Sequence, residues 1–109
     1  MRFGRLRDEP FDDLVARQLR LFAEDEAELL AEAVEAERAW VSAGRESAEE
    51  SYGDYQLVVD AIADALLSLR DTYAQSLAAD TADDYRRTFA AAVAKQYRRY
   101  ASVVADLEP

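Results

Sequence analysis

Apolar residues recur along this chain at intervals of three and four, and no useful stretch alternates with a period of two. That spacing belongs to helices that bury one face. Set out at 100° steps, Phe11, Val15, Leu19, Phe22, Leu29, Ala33 and Trp40 share one side of a first segment. A second segment aligns Tyr55, Val58, Val59, Ile62, Leu66, Leu69, Tyr73 and Leu77. A third gathers Tyr85, Phe89, Val93, Tyr100, Val103, Val104 and Leu107. Three stripes predict three core-facing helices, their aromatic rings serving as packing.

Breakers place the ends. Pro10 suits a first helical turn, and no glycine or proline interrupts the chain from Phe11 to about Ala43. Gly44 is a plausible C-cap, and GRESAEESYG reads as a polar connector ending at Gly53. A second helix is expected from Asp54, capped by it or by Ser51, to about Leu77, followed by a short link over Ala78 to Asp80. Thr81 and Asp84 stand at capping-box spacing and open a third helix running to about Leu107. The first helix would span roughly 50 Å and the others roughly 35–40 Å. A bend or break near Ala23 to Glu26 is therefore expected, turning three helices into four. The prediction is an all-α antiparallel bundle, a single domain over 1–109. It opens on a basic arm (residues 1–9, with Arg2, Arg5 and Arg7) that lies across an acidic face or stays disordered.

Composition thins that core. Leu, Ile, Val and Phe together number 25 in 109 residues, and much of the remaining apolar content is alanine, which adds little buried area. Leu14, Leu21, Leu57 and Leu67 fall outside the stripes. A thin core with leftover leucines favours burial shared with a second copy or another helical protein, so a homodimer is expected.

Charge and missing residue types narrow the chemistry. The chain has no histidine, no cysteine and one lysine against 12 arginines, with 23 acids and a net charge of −10. Thiolate and imidazole catalysis and metal ligation are excluded, leaving carboxylate chemistry with a hard cation or none. The charge argues against nucleic acid and anionic membranes. No membrane-span-length apolar run and no signal-peptide core is present, so a cytoplasmic location is expected. An acid-rich, lysine-poor surface also suits a protein facing high salt, and on that reading the acidity marks no site.

Seven acids lie between Glu24 and Glu37. Glu24, Glu28, Glu32 and Glu35 share one face at i, i+4, i+8 and i+11, a carboxylate comb centred roughly 145° from the core stripe. The phase predicts a solvated face, open to a cation or a basic partner. Asp60, Asp64 and Asp71 repeat the pattern opposite the second stripe. The pairs Glu28 with Glu32 and Asp60 with Asp64 resemble the acidic helices of the all-α NTP pyrophosphatases, although Leu29 and Ala61 stand where two motif acids would be. The resemblance, over about residues 24 to 99, implies Mg²⁺ held around a nucleoside triphosphate, with Lys95 and Arg98 or Arg99 matching basic residues near the family's end. Glu26 and Glu37 instead fall on or beside the first core stripe. A buried carboxylate needs a partner, for which Arg70 and Arg99 are candidates, unless a bend turns it out.

The third helix carries Arg87, Lys95 and Arg98 away from its core, interleaved with Ala91 and Ala94. Small residues rimmed by cations suit close docking of an acidic helix, and the comb is the natural one, from this chain or a second copy. The expected function is a non-enzymatic structural or interaction module that self-associates and needs no cofactor. The alternatives are a Mg²⁺-dependent nucleotide pyrophosphohydrolase using Glu28, Glu32, Asp60 and Asp64, and an acidic binder of a basic protein.

Overall fold

A computed structural model describes residues 10–100. The expectations for the basic arm and for Val103, Val104 and Leu107 lie outside that range. Four α-helices follow in order: α1 (Asp12–Asp25), α2 (Ala27–Val41), α3 (Ala48–Ala74) and α4 (Ala79–Gln96), then a single 3₁₀ turn over Arg98–Tyr100. No strand occurs among the described residues. The fold is all-α, as the periodicity requires.

The long first helix breaks at Glu26, whose backbone turns to φ −108°, ψ 28°. The hydrogen-bond ladder persists through the break, from the Glu26 N–H to the Phe22 carbonyl and from the Leu30 N–H to the Glu26 carbonyl. The break separates Glu24 from Glu28, an i, i+4 carboxylate pair that repels by about 0.2–0.5 kcal/mol, although it leaves Glu24 and Asp25 in the last turn of α1, where acids oppose the helix dipole. Starting a new helix at Ala27 places Glu28 in a first turn, where negative charge is favourable.

Aromatic contacts set the topology. Phe11, at the start of α1, packs edge-on to Tyr73 near the end of α3, with centroids 6.5 Å apart. Trp40, near the end of α2, stacks on Tyr55 near the start of α3 at 5.4 Å. The two halves of the broken helix thus run in succession along α3, opposite in direction. Helix α4 returns beside α1 in the same sense, with Phe11 against Tyr85 and Phe22 against Tyr97. The path is up, down and up, as short connections dictate.

The core follows the three stripes. Val15, Leu19, Phe22, Ala33, Val59, Ile62, Leu66, Tyr85, Phe89, Val93 and Tyr100 are buried. Tyr85 donates a hydrogen bond from its hydroxyl to the Gln18 Oε1 (2.8 Å), giving its buried phenol a partner. Leu14 and Leu67 are not leftovers, since both pack against the core. Among the off-stripe leucines, Leu21 and Leu57 remain exposed.

Several boundaries differ from the sequence reading. Helix α3 begins six residues early, with Ser47 rather than Ser51 or Asp54 at its N-cap, so Ala48 to Gly53 are helical. Acids at Glu49 and Glu50 in the first turn favour the helix start and outweigh one glycine's propensity deficit. Gly44 lies beyond the true cap residue Ser42 and adopts no left-handed conformation. Helix α4 starts from Ala78, and Thr81 lies inside it, its N–H bonded to the Asp80 carboxylate rather than forming a capping box with Asp84. It ends at Gln96 because Tyr97 turns out of helical geometry (φ −118°, ψ 51°), meeting Phe22 while Tyr100 enters the core.

Candidate functional site

All four comb residues, Glu24, Glu28, Glu32 and Glu35, are exposed. The break at Glu26 divides them, leaving Glu24 on α1 and the other three on α2. Only Glu35 has an ion-pair partner among the described residues, Arg38 one turn on at 2.8 Å. Both members are about 70% exposed, so the pair contributes little.

Asp60 and Asp64 are exposed on α3. Asp71, on the same helix, pairs with the buried Arg70, whose Nε and Nη2 both lie 2.8 Å from the Asp71 Oδ1. Among the described residues no three acids gather closely enough to hold a metal ion. The arrangement implied by the pyrophosphatase resemblance would need Glu28, Glu32, Asp60 and Asp64 around one Mg²⁺, since a hard cation of that size takes oxygens in tight octahedral order.

The two core-side acids separate. Glu26 lies half-buried at the break itself. Glu37 accepts a hydrogen bond from the Arg99 Nη1, one of the two partners its position called for. Glu37 is about a quarter exposed and Arg99 more than half, so the pair pins the 3₁₀ turn to α2 without forming a sealed charge site. Beside it, burial is the first cause that raises the Tyr55 phenol above its ordinary value, with the Glu37 carboxylate adding to it. Burial likewise leads in raising Tyr85, Tyr97 and Tyr100. These shifts hold phenols neutral and do not create a base near neutral pH.

The cations of α4 border a groove of about 520 Å³ between α1 and α4. Val15 and Leu19 of α1 and Ala91 and Ala92 of α4 line it, with Arg87 and Lys95 at its rim and Asp12 as the one acid. Arg87 is paired to Asp84 on its own helix, whereas Lys95 has no ion-pair partner among the described residues. Arg98 lies past the helix end and is exposed. The groove and the comb are thus both open, and no ion pair joins them within the chain among the described residues.

A feature that core-stripe reasoning missed lies on α2. Its outward side carries two adjacent strips, Ala27, Ala31 and Val34 beside Glu28, Glu32 and Glu35. Val34 is 43% exposed and Val41, further along, 74%. Only Ala33 of this helix is buried. Valine at i and i+7 on the uncovered side was the available signal.

No helix among the described residues is long and apolar enough to cross a membrane. Comparison with known protein families, curated proteins and solved structures finds no match to this chain.

Proposed function

We propose that this chain is a non-enzymatic helical module whose activity is self-association, with the outer side of α2 as an interface to a second copy. The observation that carries this reading is the uncovered helix α2. It packs along α3 more extensively than any other described helix pair, yet fully buries only Ala33 and leaves Val34 and Val41 open next to a carboxylate row. An apolar strip rimmed by charge on one exposed helix matches the anatomy of a protein contact. The carboxylates are dispersed over solvent-facing positions, which supports a surface role rather than a reaction centre.

Association couples to stability by mass action, so the melting temperature of a self-associating chain rises with its concentration. The expected result is a melting temperature several degrees higher at about 100 μM than at about 1 μM. An unchanged midpoint across that range, in both low and high salt, removes the proposal.

A further inference from the structure

We infer that the groove between α1 and α4 is the receptor for helix α2 of a second copy, with Arg87 and Lys95 meeting the comb carboxylates. The inference rests on the self-association reading above and adds the identity of both surfaces. Three observations point to this occupant. The groove lies between two helices that run in the same sense, and its small-residue floor, Ala91 exposed and Ala92 half-buried beside the buried Val15 and Leu19, leaves room for a further helix. Helix α2 presents a narrow strip to fill it, because Ala27, Ala31 and Val34 allow close approach. The charges beside that strip have the sign and spacing of the groove's rim. Arg87 and Lys95 are separated by roughly 12 Å along α4, and Glu28 and Glu35 by roughly 10 Å along α2, at 1.5 Å per residue.

Lys95 is the more discriminating cation, since Arg87 already shares its charge with Asp84. Asp12 at the groove's edge fixes the direction of entry, because an incoming carboxylate avoids it and favours Lys95. Each copy carries both a groove and a comb on different elements. The contact is therefore heterologous as a surface, and it closes into a dimer if made reciprocally or extends into a chain if made once.

Paired charge reversals test this. Arg87→Glu with Lys95→Glu reverses the groove, and Glu28→Lys with Glu32→Lys reverses the comb. Each reversal changes the charge by two, so the first variant moves the net charge from −10 to −14 and the second from −10 to −6. All four positions are exposed, and far-ultraviolet circular dichroism of dilute samples checks that each variant keeps the helical fold. The inference predicts that both variants raise the dissociation constant of self-association by about tenfold or more. It also predicts that an equimolar mixture regains association, since one reversed surface then meets the other. General charge repulsion would instead weaken the first and strengthen the second. If the unaltered chain associates and either variant matches it, or the mixture stays apart, the groove assignment is overturned while self-association stands. A monomeric unaltered chain overturns both.

Discussion

At the level of single residues, the ionisable side chains of the interior are mostly phenols. Tyr55, Tyr85, Tyr97 and Tyr100 all have values raised by burial above the ordinary phenol value of about 10. In the unfolded chain these groups ionise first, so between the unfolded and folded values the native state holds more protons. Their contribution to stability is fully present below about pH 10 and is lost as pH rises through the raised folded values. Denaturant titrations at stepped pH should show a flat midpoint up to about pH 9.5 and a fall above pH 10. The phenolate absorbance of these four tyrosines should appear together with loss of helix, and their full ionisation in a still-helical protein would refute the burial argument. The pairing of Glu37 was legible in the sequence as one of two options, because the helical phase put an acid on a buried stripe. The pairing of Arg70 with its neighbour Asp71 was not, since adjacent residues on a helix ordinarily do not face one another.

At the level of the helices, propensity and tertiary demand pull against each other at a few identifiable places. Gly53 was read as the end of a connector, yet it lies inside α3 with nothing within 4 Å of where a Cβ would stand. Gly53→Ala should therefore stabilise the fold by about 0.5–1 kcal/mol in a denaturant titration. Destabilisation would show that residues 48–53 do not belong to the helix. Ala33 tests the other extreme. It is fully buried in the helix that packs most extensively on α3. Ala33→Leu should destabilise by about 1–3 kcal/mol through overpacking, measured the same way. A neutral effect would mean that α2 and α3 are not in close contact. The break at Glu26 could be foreseen from the excess length of the first helix. The end of α4 could not, because the residues that stop it, Tyr97 and Tyr100, do so by docking on Phe22 and in the core, partners remote in sequence.

At the level of the whole molecule, the acid excess and the self-association reading meet. A net charge of −10 on each copy opposes association at long range, most strongly at low ionic strength. In the proposed contact, cations of the groove matched to comb carboxylates offset this locally, while salt screening weakens the repulsion between copies. The outward pointing of the carboxylate comb was legible from helical phase alone. The groove was half legible, as an arginine-rimmed alanine face on one helix. Its other wall needed the structure, because only the packing of α1 beside α4 brings the core residues Val15 and Leu19 under the alanines. Sedimentation equilibrium of the intact chain, at low and at high salt, tests the central claim most directly. The account predicts an apparent mass rising above the 12.2 kDa of one chain as concentration passes through the micromolar range. A mass of one chain at every concentration up to about 100 μM, in both salts, would contradict it.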